Sequence, residues 1–443
     1  MRPFFTTLIL TILFAGRLSL PVQSLGEILR KDQQLFSNPN QLLVTEDGKI
    51  IDHLSCQRIN LQFSDSPIDH QVGTHISRTQ RNHLFIAVTH KQQWLFQSTD
   101  EGKTWIQLKF DTFKKSTISN LLILNDDSFL GMTGGGKKPL QCYRSLDQGK
   151  TWVLISTIDS KPFRIIHVDG DFTQLQDGTI LLPVNRRNPP PKGRPWTEHT
   201  AVQHIYRSTD GGNTWKGGGN NNFWDTLQQA KLRIEGTSLK STIPGMGGTF
   251  PGCYETQITE LANHQLIAAF RYSGVPQPWH KKMELAWGMN TSRKQMIPIV
   301  PGVAGDTRIL KYIFLGDSSD RGKSWNDFRP VLDDNKKSVL WYGSLHGQVV
   351  QLPDGRLVLI HVRRYPREDQ QVIARVSHDG GYTWGRKAYR LIYGSGYPRS
   401  IVLADGTIVT VSGSTLTTPQ GYVPPGGRFS AQVIRWRLPK QAK

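Results

Sequence analysis

An eight-residue pattern, Ser-x-Asp-x-Gly-x-(Thr/Ser)-Trp, occurs five times in this chain, at Ser98–Trp105, Ser145–Trp152, Ser208–Trp215, Ser318–Trp325 and Ser377–Trp384. Five copies in one chain restrict the fold to an architecture of repeated units, each too small to bury its apolar face alone. Within a copy the Asp can accept hydrogen bonds from turn amides, and the Gly two residues on supplies a positive φ. The hydroxyl residue and the Trp then open a new strand, with the ring packed against a neighbour. A second signal precedes most copies. Thr173–Val184, Val349–His361 and Ser400–Val411 each set Asp-Gly between apolar runs, which marks a β-hairpin. Weaker versions run through Asn125-Asp-Asp and Ala262-Asn-His.

Each unit therefore reads hairpin, third strand, turn, fourth strand, which is one four-stranded antiparallel blade. The units span 75–115, 116–160, 161–240, 250–335 and 340–392. A sixth hairpin at 397–412 is followed by Ser430–Leu438 with no octad, so the last unit is one strand short. A strand from the N-terminal segment, Lys49–Leu54 or Ile59–Phe63, is expected to complete it. The expected fold is an all-β six-bladed β-propeller over 75–443, with residues 25–74 supplying the closing strand. Insertions at Asn185–Ala201, Lys216–Ser241 and Tyr272–Asp306 are rich in Gly, Pro and Asn and are expected to drape over one face as loops.

Residues 1–24 begin with a basic residue and a short apolar run, and read as a secretory signal peptide; the mature protein is expected to be secreted or periplasmic. No later stretch is long and apolar enough for a membrane-spanning helix. The net charge of +19 favours anionic partners, while the export signal and the lack of a reading module disfavour nucleic acid. Three cysteines, Cys56, Cys142 and Cys253, allow one disulfide and a free thiol but no framework, and no metal or cofactor signature is present. A monomer is expected.

Blade topology sorts the polar residues. The start of strand one, the end of strand two and the start of strand three share a rim, and the octads fall at the opposite one. The first rim collects His75, His90, Asp169, Asp171, Arg186, Arg187, Glu255, Arg271, His346, Arg363, Arg364, Arg367, Tyr397 and Arg399. Its arginines point to an anionic ligand, because guanidinium groups bind carboxylate, sulfate and phosphate in bidentate fashion. Arg363, Arg364 and Arg367 cannot all face one way, since alternate strand residues point oppositely; Arg364 or Arg367 is expected inside.

The octads resemble the Asp-box (BNR) repeat of the sialidase (neuraminidase) superfamily, in which the boxes are structural turns. The segment Glu255–Arg271 is similar to the sialidase segment carrying a Glu and the second arginine of a substrate triad. Gly396–Gly406 resembles the segment supplying the tyrosine nucleophile, and Arg363–Arg367 occupies the region of the third arginine. The resemblance implies a retaining glycoside hydrolase with Tyr397 as nucleophile and Glu255 as its base. Arg271, Arg364, Arg367, Arg78, Arg186 and His346 would bind an anionic glycan, a sialoside or a relative of one. A phenol of ordinary pKa needs such a base, and a neutral Tyr/Glu pair avoids bringing an anionic nucleophile to an anionic sugar. Two departures stand out. The first-arginine motif is replaced by Gly73-Thr-His-Ile-Ser-Arg78, offering His75 or a shifted Arg78, and the loop Thr89–Trp94 carries no carboxylate for the acid. Asp169, Asp171 or His90 are the alternatives for that role. A non-catalytic glycan-binding or protein-docking propeller is the competing expectation.

Overall fold

The continuous apolar runs of the sequence form the second strands of successive sheets, each covered on both faces by its neighbours. Leu84–Val88, Ile180–Leu182 and Leu357–Ile360 are all essentially inaccessible to solvent. The computed structural model describes residues 40–64, 73–90, 92–108, 118, 120–188, 200–217, 252–274, 287–290, 295–298, 310–340, 343–363, 371–393, 396–413 and 429–440. Every regular element among them is a β-strand, and the sheets are arranged as in a propeller. No described helix is long and apolar enough to cross a membrane. The segment read as an export signal lies outside the described residues.

Four sheets are separate. The first comprises Gly73–Arg78, Leu84–His90, Gln92–Ser98 and Ile106–Leu108, and the second Asn120–Ile123, Phe129–Gly134, Leu140–Ser145 and Val153–Ile158. In the third, Ile165–Val168 and Thr173–Gln174 both pair with Ile180–Asn188, which pairs with Thr200–Ser208. The fourth comprises Gly252–Glu260, Leu266–Gly274, Leu310–Ser318 and Asn326–Pro330. Apart from one two-stranded ribbon, a nine-stranded sheet holds the remaining described strands. It runs from Ser344–Gln351 through Leu357–Arg363 and Gln371–Ser377 to Ala388–Tyr393, on which Gln41–Glu46 pairs. Gln41–Glu46 forms a hairpin with Lys49–Ser64, whose second half pairs with Phe429–Trp436, then Ile408–Gly413 and Arg399–Val402.

First strands meet around a common axis, and side chains tie each to the next. Ser77 accepts from the Ile123 amide (2.9 Å), Asn120 from the Phe172 amide (3.1 Å), and Thr173 donates to Ile258 (2.8 Å). Thr259 donates to Val349 (2.6 Å), Gln348 accepts from the Ser400 amide (2.7 Å), and Thr74 donates to the Tyr397 carbonyl, which closes the circuit. Behind the axis the seams are apolar: Phe85 packs with Leu121 and Phe129, Leu130 with Ile180 and Leu182, and Leu84 with Val409 and Val433. Fully burying one such side chain contributes about 1.5–3 kcal/mol.

The octads are turns between third and fourth strands. In Ser98–Trp105 the Asp100 carboxylate accepts from the Ser98 hydroxyl (2.7 Å), the Thr104 amide (2.9 Å) and the Thr104 hydroxyl (2.6 Å), while Ser98 accepts from the Gly102 amide (2.8 Å). The same contacts recur around Asp147, Asp210, Asp320 and Asp379. Two residues of each turn are left-handed, not one: Glu101 (φ 61°) precedes Gly102 (φ 82°), and Arg321 precedes Gly322 likewise. The Asp-Gly hairpins also differ from two-residue turns. Gly178, Gly355 and Gly406 occupy the left-handed position of longer turns, which Asp127 (φ 62°) and His264 (φ 65°) fill elsewhere. That equivalence explains why Asn-Asp-Asp and Ala-Asn-His serve as well as Asp-Gly.

Two further expectations change. Asn185–Asn188 and Thr200–Ala201 are strand, extending the third sheet into an insertion read as loop, and Trp287–Asn290 pairs with Gln295–Pro298 as a ribbon inside another. Cys142 is a free thiol, so no disulfide joins it to Cys56; burial pushes the Cys142 thiol up to about 12. The Cys253 side chain lies outside the described residues.

Candidate active site

Where the first strands begin, a cavity of about 320 Å³ opens on the axis. Four sheets supply its wall: Gly73 and His75 from the first, Asn120 from the second, Asp169 and Asp171 from the third, and Glu255 and Arg271 from the fourth. Tyr397 and Arg399 come from the start of the last strand hairpin. The third sheet contributes because its first strand is broken between Val168 and Thr173. Gly170 sits in that break so close to the fourth sheet that a Cβ would stand 1.8 Å from the Thr256 carbonyl oxygen. Gly396 plays the same part for Tyr397, with a Cβ position 2.0 Å from the Gly413 carbonyl oxygen.

Glu255 lies at a β-bulge with φ 55°, and His346 lies at a matching bulge of the adjacent first strand with φ 53°. Left-handed non-glycine residues cost about 1–3 kcal/mol each and persist where surrounding structure demands them. Here the bulges turn both side chains inward toward one another. Arg271 Nη1 donates to Glu255 Oε1 (2.5 Å), and His346 Nδ1 lies 3.0 Å from Glu255 Oε2. The Glu255 amide donates to Asp169 Oδ2 (3.1 Å), which also accepts from Gln203 Nε2 (3.2 Å). Tyr397 packs against the His346 ring, centroids 3.8 Å apart and planes tilted by 48°, and Arg271 lies 4.6 Å from the Tyr254 ring centroid. Burial works against the Arg271 cation, but Glu255, Asp169, Tyr254 and Tyr397 outweigh it and raise its pKa.

A second group faces the first. Asp171 Oδ2 accepts from Arg399 Nε, and Asp171 Oδ1 lies 2.8 Å from His75 Nδ1. Burial pushes the Asp171 carboxyl up, yet Arg399 and His75 beside it dominate and hold it at about 2. Arg399 also donates to the Pro398 carbonyl (2.7 Å). All three carboxylates of the cavity therefore accept hydrogen bonds or ion-pair contacts.

Tyr397, Glu255 and Arg271 come together in this cavity. His346 is 1% exposed and lies beneath Tyr397, so it reaches the site through Glu255 and not by touching a ligand. Arg186 is elsewhere: its guanidinium donates to the Asp159 carbonyl (2.9 Å) and packs over Phe163 and Tyr206. Burial and Arg186 lower the neighbouring His204 to about 4. Arg78 is exposed at the far end of its strand and donates to the Val402 carbonyl (3.4 Å), which leaves His75 as the residue of that strand in the wall. Arg364, Arg367 and the side chains of His90 and Arg187 lie outside the described residues. Reasoning from sequence named Asp171, Arg399 and His75 as rim residues without joining them into a site. One signal was available for the first group: Glu255-x-Gln257 and His346-x-Gln348 share a pattern at equivalent bulges.

A larger cavity of about 520 Å³ lies at the octad rim beside Ser377–Trp384. Its buried Asp333 is already taken by the Asn335 and Lys337 amides and by Arg386, which marks a structural seam. Among the described residues no group of three or more His, Cys, Asp or Glu could hold a metal.

No protein-family model and no curated protein matches the sequence. Solved structures do match in shape. A protein of unknown function from Dyadobacter fermentans is 14% identical, with 89% of this chain and 99% of that chain covered at a TM-score of 0.52. The α-L-arabinofuranosidase Arb93A of Fusarium graminearum, solved with an iminosugar inhibitor, is 13% identical (85% and 97% covered, TM-score 0.52). A Penicillium chrysogenum α-L-arabinanase, solved with arabinobiose, is 13% identical (90% and 99% covered, TM-score 0.52). Such likeness shows the fold: this chain shares a propeller architecture with glycoside hydrolases.

Proposed function

We propose that the protein is an exported glycoside hydrolase that removes a terminal sugar from a glycan by a retaining mechanism. Its nine-stranded sheet is read as two blades, Ser344–Tyr393 and Arg399–Trp436, bridged by the N-terminal hairpin, with Cys56–Ser64 as the outer strand of the last; this makes a six-bladed propeller. The observation that carries the function is the convergence of Tyr397, Glu255 and Arg271 on one cavity of sugar size. Tyr397 attacks the anomeric carbon, its phenol proton passes to Glu255, and the glycosidic C–O electrons leave with the aglycone oxygen. Water then cleaves the glycosyl–tyrosine bond. The Arg271 cation favours the phenolate, and His346, in contact with both, holds the ring and the carboxylate in register.

The described charges support a neutral sugar over a sialoside. Three carboxylates line the cavity against two guanidinium groups, and each guanidinium is committed to a carboxylate. Arabinofuranosides are the first neutral probes, sialosides the anionic control. A second reading has a specific observation behind it: Glu255, an anion braced by Arg271 and His346, could itself be the nucleophile, as carboxylates are in most retaining enzymes. The test is hydrolysis of 4-nitrophenyl α-L-arabinofuranoside, other neutral exo-glycosides and sialosides by the wild type and Tyr397→Phe. Release from a neutral glycoside, lost in the variant, supports the proposal; no release from any substrate contradicts it.

A further inference from the structure

The carboxylates of the cavity are poor sources of the proton that a leaving alcohol needs. Asp171 is paired to Arg399 and His75, Glu255 to Arg271 with His346 beside it, and Asp169 accepts from the Glu255 amide and Gln203. Each contact favours the ionised form. His75 is different in kind. It lies in the cavity wall, its Nδ1 faces Asp171 at 2.8 Å, and its side chain is only 8% exposed. A ring whose Nδ1 faces Asp171 directs Nε2 away from the carboxylate. That nitrogen lies toward Gly73, 4.0 Å from where a Cβ would stand there, and Gly73 is itself part of the lining.

We propose that His75, oriented by Asp171 and Arg399, is the general acid and base of the hydrolysis, in the role that a carboxylic acid fills in most glycosidases. The assignment rests on the hydrolase reading above and holds for either nucleophile. In the first step the imidazolium Nε2–H passes its proton to the glycosidic oxygen while the anomeric C–O bond breaks, and the aglycone leaves as an alcohol. The imidazole is then neutral. In the second step Nε2 takes a proton from water as the water oxygen attacks the anomeric carbon and the bond from that carbon to the nucleophile oxygen breaks; the imidazolium is restored, the sugar leaves, and Tyr397, where it is the nucleophile, recovers its proton from Glu255. No other reactant is required. Asp171 contacts His75, and the other titratable and charged groups that line the cavity with it are Asp169 of the third sheet, Tyr397 and Arg399 of the last hairpin, and Glu255 and Arg271 of the fourth sheet.

The test compares leaving groups. For the sugar that the wild type releases, kcat/KM is measured with the 4-nitrophenyl and the methyl glycoside, for the full chain and for His75→Gln. Nitrophenolate leaves without a proton; methoxide does not. The expected result is a loss of about 10²–10⁴-fold on the methyl glycoside, in the range that general acid catalysis supplies, against less than about tenfold on the nitrophenyl glycoside. Methyl glycoside turnover within about tenfold of wild type, or equal losses on both substrates in a variant that melts normally, would overturn the assignment while the hydrolase stands. No release by the wild type would overturn both. If His75→Gln does not fold, wild-type protein is treated with diethyl pyrocarbonate and the modified histidines are mapped. Modification at His75 that spares nitrophenyl cleavage and stops methyl cleavage supports the acid role; modification there that spares both contradicts it.

Discussion

The two rims of this molecule solve opposite problems. At the octad rim, each turn satisfies its polar groups within eight residues: Asp379 accepts from Ser377, Tyr382 and Thr383, and Ser377 accepts from the Gly381 amide. At the cavity rim the partners come from far apart in the chain, as with Arg399 and Asp171 or Thr74 and Tyr397. The octad rim repeats one local arrangement five times, whereas each sheet gives the cavity a different side chain. Hydrogen bonds keep the octad carboxylates acidic; Asp147 is lowered to about 2 by Thr151 and Ser145. In the cavity it is instead buried ion-pair partners, Arg399 and His75, that hold Asp171 at about 2. One rim is built for stability that tolerates repetition, the other for a single arrangement that occurs once.

That contrast can be broken by substitution. Tyr397→Phe should lower kcat by at least about 10³-fold with a melting temperature close to wild type, since the ring can still pack against His346. A large drop in melting temperature would mean that Tyr397 is structural. Arg271→Ala should destabilise by about 3–5 kcal/mol in denaturant titration, because it strands the buried Glu255 carboxylate. The double variant Arg271→Met with Glu255→Gln should recover most of that loss; failure to recover would show that the pair is not the source. Asp379→Ala should cost about 0.5–2 kcal/mol, comparable to losing a helix cap, with kcat unchanged. Altered kcat there would couple the two rims.

The smallest effect concerns pH. Asp100 and Asp147 sit at about 2 in the folded protein, below the ordinary carboxylate value near 4. At Asp100 burial opposes the shift but its hydrogen bonds prevail; at Asp147 the Thr151 contacts lead. The unfolded chain therefore binds more protons as pH falls below about 4, and the stability these turns contribute, complete above that value, is lost toward pH 2. Thermal unfolding from pH 5 to 2 should show this slope. Asp147→Asn should flatten it, and an unchanged slope would place the acid sensitivity elsewhere.

Local chemistry decided what could be read from the sequence. Octads and hairpins were legible because each closes its hydrogen bonds within a few residues, and topology then assigned Tyr397, Glu255 and Arg271 to one rim. The Asp171–His75–Arg399 group was not legible as a unit. It depends on a broken strand around Gly170, whose need for glycine arises from the fourth sheet. Arg186 misled because an arginine at a strand end looks alike whether it faces a ligand or packs over Phe163 and Tyr206. His346 misled because only the left-handed bulge places it behind the site.

The central claim is that the axial cavity forms a glycosyl–enzyme bond at Tyr397. Its most direct measurement is trapping with a 2-deoxy-2-fluoro glycosyl fluoride of the sugar that the protein releases, followed by peptide mass mapping. A stoichiometric label on Tyr397 is the predicted result. A label on Glu255 would move the nucleophile to the carboxylate, and a label outside the cavity, or none on protein that turns over substrate, would contradict the account.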